Sequence, residues 1–314
     1  MNASIESKDI ATGVVTTSLI FLVVLYLPIL GFFCSLLLPL PVLFFRSKYG
    51  RKTAGVIAML SLAGMAMIIG AVSVDLLFFV EFLLIGFILG ELFEKNLGVE
   101  ITMLYTAGAV ILAGLVGLFV YSGWSSRGVM DLISEYVATN LEMTLAVYEG
   151  MGVSEESIHR IANSLDQIQY VLIRTLPALY VASTMFVVWT SLLLSKPIFW
   201  TRSVPYPDFG VLNQWKAPEY LVWVAIACGI LLFLPGKTLK VLGLNGVIVM
   251  MMVYFFQGIA IVSFYFEKKQ FPVMLRVFLY SLIALQQFLL ILVIGCGFFD
   301  MWINFRKLET PGNN

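Results

Sequence analysis

Residues 101–121 read ITMLYTAGAVILAGLVGLFVY, an apolar run from Ile101 to Tyr121. A hydrocarbon core about 30 Å thick takes roughly 20 residues of helix to cross. One such run would suit the buried helix of a water-soluble protein. Here the pattern repeats, in Ile57–Val74, Leu76–Gly90, Leu221–Leu234, Val241–Phe266 and Val273–Phe299. Eight or nine such segments in 314 residues leave too little polar surface to cover a soluble globule. The fold class expected is all-α: a polytopic transmembrane helix bundle of about nine spans, with eight as the alternative.

Composition agrees. Hydrophobic residues make up 60% of the chain and charged residues 12%, against about 25% charged in ordinary globular domains. Mean hydropathy is +0.96. Net charge is zero, so no bulk field invites nucleic acid, and none is expected as a partner. Cys34, Cys228 and Cys296 all fall in apolar stretches and read as small core residues, not disulfides or metal ligands. With one histidine, His159, and no Cys/His cluster, neither a metal nor a cofactor is expected.

Working outward, the opening stretch Ala11–Phe45 is too long for one crossing, and Pro28 and Gly31 interrupt it. It reads as a tight hairpin, with Pro39 and Pro41 kinking its second arm. Residues 46–52, Arg46-Ser-Lys-Tyr-Gly-Arg-Lys52, form a short basic loop of the kind held in the cytoplasm. Spans 3 to 5 follow at Thr53–Val74, Asp75–Phe93 and Val99–Tyr121.

Residues 122–167 break the pattern. Asp131, Glu135, Glu142, Glu149, Glu155, Glu156 and Asp166 outnumber Arg127 and Arg160. Leu132, Tyr136, Leu141, Leu145 and Tyr148 recur at helical spacing, and Ser154-Glu155-Glu156 reads as a helix start. A pair of amphipathic helices on the outer side is expected. Span 6 (Ile168–Leu194) leads to a proline-rich irregular loop, Ser195–Pro218, and then to spans 7 to 9 at Glu219–Leu234, Val241–Phe266 and Phe271–Phe299.

The organisation expected is a five-span unit at 1–121, an extracytoplasmic helical insert at 122–167 and a four-span unit at 168–314. The N-terminal stretch lacks a basic region and a cleavage site, so the first span reads as retained. With the N-terminus inside, most Lys and Arg fall on cytoplasmic segments of a bacterial inner membrane. Lys237, Lys240, Arg306 and Lys307 run against the rule, which keeps the eight-span form with a cytoplasmic C-terminus open.

Small residues mark helix contacts: Ala66 with Gly70, Gly86 with Gly90, and Ala109 with Ala113 and Gly117. Charges inside the hydrocarbon mark function, because each costs about 2.5–3.5 kcal/mol at mid-span. Glu81 and Arg174 each lie about six residues into their spans, roughly 9 Å deep. They read either as a structural ion pair or as the charges of a ligand cavity, with Asp75 at its mouth. Pro177 sits close to Arg174 and leaves a carbonyl without its donor. Glu219, Asn245, Gln257, Arg276, Asp300 and Arg306 read as structural polar groups: Glu219 with Arg276 as a pair, Asp300 and Arg306 as interfacial anchors around Trp302. No catalytic motif occurs, and no catalytic residue or enzymatic activity is expected.

The order Trp215-Lys-Ala-Pro-Glu219, Gly243-Leu-Asn245, Tyr254-Phe-Phe-Gln257-Gly258 and Asp300-Met-Trp302-Ile-Asn-Phe305-Arg306, with the opening Pro28…Pro39-Leu-Pro41, resembles the YybS-like family of uncharacterised bacterial membrane proteins. That family is distantly similar, over spans 1–6, to the S components of energy-coupling-factor transporters. The resemblance implies a unit that binds a small solute from outside and docks on a separate transporter subunit. S components carry Ala-x-x-x-Ala in the first helix, where this chain has Gly13-x-x-x-Thr17. Two functions follow as expectations. One is binding or translocation of a small solute in an S-component-like manner. The other is a non-transporting membrane scaffold whose acidic outer helices recruit an envelope partner. Lipid surrounds the chain in either case.

Overall fold

The computed structural model describes residues 7–70 and 73–307. The chain start before Ser7 and the end of the expected third span at 71–72 lie outside them. Among the described residues regular structure is helical throughout, with no strand.

Helices α1 (Ser7–Tyr26) and α2 (Pro28–Ser35) form the expected hairpin break. Pro28 takes the first turn of α2, where a missing N–H costs nothing. A second break at 36–38 precedes α3 (Pro39–Tyr49). Pro39 therefore opens a helix instead of kinking one, by the same first-turn tolerance. Only Gly50, at φ 87°, separates α3 from α4 (Arg51–Ile69), so the basic stretch is nearly all helical. Gly70, at φ 76°, ends α4 with its N–H on the Ala66 carbonyl at 3.0 Å. This pair is thus a helix stop, where the small-residue reading expects a packing face.

Next come α5 (Val74–Phe93) and α6 (Val99–Ser125). The G-x-x-x-G of α5 seats α3. A Cβ on Gly86 would lie 2.2 Å from the Pro39 carbonyl oxygen, and one on Gly90 would lie 2.3 Å from Arg46 Cγ. Any larger residue would push α3 away. On α6 the buried stripe runs through Thr102, Met103, Thr106, Ala107 and Val110. Of the expected ladder Ala109 faces outward, while a Cβ on Gly117 would meet Leu77 of α5 at 3.5 Å. Phe21 of α1 stacks on Phe79 of α5 at 4.1 Å, inside a core with Val42, Ala54 and Met65.

The expected amphipathic pair is α7 (Val129–Gly150) and α8 (Glu155–Ala162). Leu132 and Val137 are the buried residues of α7. Helix α9 (Leu165–Thr201) then runs 37 residues, well past the expected end at Leu194. It continues through Pro197, and side-chain hydroxyls bond its backbone one turn earlier. The Leu192 carbonyl accepts from Ser195 Oγ at 3.0 Å and from the Tyr206 hydroxyl at 2.8 Å.

The remaining elements are a 3-10 turn (Leu212–Gln214), α10 (Tyr220–Phe233), α11 (Lys237–Lys268), α12 (Val273–Leu285) and α13 (Gln287–Ile303). Helices α11 and α13 cross in close contact. A Cβ on Gly258 would meet the Val293 carbonyl oxygen at 2.1 Å, and one on Gly297 would meet that of Tyr254 at 2.1 Å.

Among the described residues, the chain divides into two compact units. One takes residues up to Gln169 together with Ser183–Phe209, so α7 and α8 belong with the first helices. The other takes Tyr170–Ala182 and residues from Gly210 onward, so α9 contributes to both.

Among the described residues seven helical stretches are long and apolar enough to cross a membrane, or eight if the bent pair α12–α13 is one span. Two of the nine expected spans differ from a straight full-length helix. At 14 residues α10 is short, roughly 21 Å at 1.5 Å per residue. The stretch expected as a straight last span bends by 100° at Gln286.

Candidate functional site

In the first unit α7 lies beside the ends of α1 and α5, with a half-open cleft of about 720 Å³ between them. That volume falls in the range of small-molecule sites, roughly 300–1,000 Å³. Phe21, Val24 and Leu25 of α1 form one wall, and Phe78 and Phe82 of α5 another. The α7 side presents Leu132, Tyr136, Asn140 and Met143.

The polar groups gather at one end. Asp75 stands in the first turn of α5, behind the cap made by Ser73 Oγ with the Leu76 N–H at 3.4 Å. A helix N-terminus favours a negative charge there. The Tyr136 hydroxyl donates to Asp75 Oδ1 at 3.4 Å, and the Tyr136 ring lies 5.8 Å from that of Phe78. Burial, and then the Asp75 charge, push the Tyr136 phenol up to about 12. Asn140 Nδ2 donates to the Tyr136 carbonyl at 2.8 Å. At the rim Arg127 donates to Glu135 at 2.5 Å, both more than half exposed.

The sequence candidates are distributed as follows. Asp75 is in the cleft. Glu81 lies half-buried midway along α5. Arg174, on α9, belongs to the other compact unit. Its guanidinium sits over the Tyr170 ring at 3.3 Å from the centroid and donates to the Tyr170 carbonyl at 3.2 Å.

The second unit holds all six structural polar candidates. Asn245 bridges Arg174 and Ala178 of α9. Asp300 and Arg306 form an ion pair at 2.8 Å with both side chains fully buried. Arg306 also donates to the carbonyls of Asn213 and Trp215, each at 2.9 Å. Gln257 joins them, donating to Asp300 at 3.1 Å and accepting from the Ala217 N–H at 3.1 Å. A buried lock thus stands where the sequence suggests interfacial anchors, because the left-handed turn at Asn304 folds Arg306 back onto Asp300. Arg276 donates to the Phe271 carbonyl at 2.7 Å, and among the described residues no ion pair links it to Glu219.

Two features escape the sequence reading. Tyr136 is visible there as an apolar-face residue, with no sign of its carboxylate partner. The second is a charge cluster at the other end of α5. Arg46 is almost fully buried and donates to Glu91 at 2.6 Å and to Glu94 at 2.8 Å, and Glu91 also accepts from Arg51. The Arg46 hydrogen bond holds the Glu94 carboxyl below its ordinary value. The four ionisable groups are visible in sequence; their pairing across forty or more positions is not.

This architecture defines a multi-pass helical membrane protein. The chain belongs to the family described as "Predicted membrane protein (DUF2232)", whose profile matches residues 15–301. It is 25% identical over 278 residues to the uncharacterized protein YybS of Bacillus subtilis (strain 168), across 85% of this chain and 87% of that one. No solved structure matches.

Proposed function

We propose that this protein binds a small solute in the cleft between α1, α5 and α7, as a substrate-binding S component does, with α7 as the lid. The cleft carries the proposal: about 720 Å³ of space with aromatic walls and a charged rim. In the inner-membrane orientation favoured by the basic-residue rule, with the N-terminus inside, α7 lies on the outer side and the cleft opens outward.

The proposal covers binding and leaves aside docking through the first helix. A Cβ on Gly13 would lie 2.6 Å from Ile57 Cδ1, and Thr17 is fully buried with its hydroxyl on the Gly13 carbonyl at 2.8 Å. The face that an S component offers to its transporter partner is here turned into the chain's own core.

Mass spectrometry of the full chain purified in mild detergent tests the binding. A non-lipid small molecule is expected to accompany the wild type and to be lost in Thr139→Trp, whose indole would occupy the cleft. A wild type carrying only lipid and detergent would overturn the reading.

The scaffold reading has one observation of its own. Met143, Tyr148 and Met151 are exposed along and just beyond α7. A photo-crosslinker at Tyr148 that captures a defined envelope protein, with no accompanying solute, would favour it.

A further inference from the structure

Resting on the cleft as a solute site, we propose that it selects an organic cation with an aromatic or apolar body, with the Asp75 carboxylate as the counter-charge.

The charges decide this. Glu135 is matched at the rim by Arg127. Among the described residues lining the cleft, Asp75 is then the charge without an opposite partner. Its hydrogen bond comes from the Tyr136 hydroxyl at 3.4 Å, well beyond the usual 2.5–3.0 Å for a hydroxyl on oxygen. Most of the carboxylate's accepting capacity is left over. The α5 N-terminus, beside it, favours negative charge at this place. A solute that displaces water from it must therefore bring positive charge or leave a desolvated anion behind.

The walls decide the rest. Phe21, Phe78, Phe82, Tyr121 and Tyr136 all border the space. Ring faces attract a cation within about 6 Å of their centroids. An anionic solute would face Asp75 with only a rim arginine, already paired, to answer it. A small hydrophilic cation would leave the aromatic surface unused.

Calorimetric titration of the detergent-solubilised full chain with three benzyl-sized probes tests the inference. Benzyltrimethylammonium is expected to bind at least about tenfold tighter than benzyl alcohol, and benzenesulfonate to bind weakest. Asp75→Asn is expected to erase the preference for the cation over benzyl alcohol, in a variant that still shows a cooperative melting transition. Tyr136→Phe keeps the ring and removes the donor on Asp75, and is expected to bind the cation at least as tightly as the wild type. Equal affinities for cation and alcohol, or an Asp75→Asn variant with its preference intact, would overturn the charge selection and leave the cleft reading standing. If no probe binds, the cation inference falls. The co-purification experiment then decides separately whether the cleft reading falls with it.

Discussion

Asn245 of α11 lays its side-chain amide along the backbone of α9 at Ala178. Its Oδ1 accepts the Ala178 N–H at 3.0 Å, while its Nδ2 donates to the Arg174 carbonyl at 2.9 Å and to its own Val241 carbonyl at 2.8 Å. Pro177, one position earlier, supplies no N–H to the α9 ladder and crowds the preceding turn. The asparagine mends the helix where proline disturbs it. Replacing Asn245 with Leu strands two backbone groups and should cost about 1–3 kcal/mol each way such a group is left unsatisfied. Thermal unfolding in detergent is expected to show a clear loss for Asn245→Leu and a smaller loss for the double variant with Pro177→Ala. Equal losses in the two would disprove the repair role.

The Arg46 cluster predicts a non-additive pair. Removing one partner of a buried ion pair costs about 3–5 kcal/mol, whereas removing both can be near neutral. Arg46→Met should destabilise strongly, and Arg46→Met with Glu91→Gln should recover part of the loss. Chemical unfolding of the four members of the cycle reads the coupling.

The same cluster sets an acid limb. The folded state holds Glu94 below its ordinary value of 4.5, so its contribution is present above that value and is lost as the pH falls below it. Because Glu94 is largely exposed, the effect is modest. Arg46→Met should flatten the fall in stability on acidification below pH 4.5.

Tyr136 sets an alkaline limb with the opposite sign. Its phenol is raised from 10.0 to about 12, so the folded state keeps its proton longer than the unfolded one. Stability is complete below pH 10 and declines as the pH rises towards 12. Tyr136→Phe should decline less steeply across that window. An unchanged slope would show that the hydroxyl is solvated.

The close crossing of α11 and α13 predicts intolerance to a single methyl group. At Gly258 or Gly297 an added Cβ would overlap a carbonyl oxygen of the neighbouring helix. Either Gly→Ala change should lower the melting temperature by several degrees, while Gly295→Ala, where a Cβ meets open space, should not.

Much of this bundle is legible in the chain because bilayer thickness fixes helix length. The break at Pro28, the start of α8 at Glu155 and the Gly86–Gly90 contact all carry local signals. The bend at Gln286 carries none: neither proline nor glycine stands there, and two glutamines in an apolar run read as ordinary span residues. The cleft is half legible. Asp75 shows itself as a polar residue where a span begins, but its neighbours come from α1 and α7, distant in sequence. Glu81 and Arg174 share a calculated depth, and depth alone says nothing of which compact unit each joins.

Arg46 and Arg51 also act in sequence through time. During insertion the two helices are not yet docked, and topology responds to Lys and Arg while acidic residues contribute little. At that stage the stretch from Arg46 to Lys52 carries its full complement of positive charge. Once α3 seats on α5, Glu91 and Glu94 neutralise both guanidinium groups. Lys48, over the Tyr49 ring at 4.8 Å, and Lys52 remain exposed. Positive charge that is free on the separate helices is thereafter paired with carboxylates inside the finished bundle.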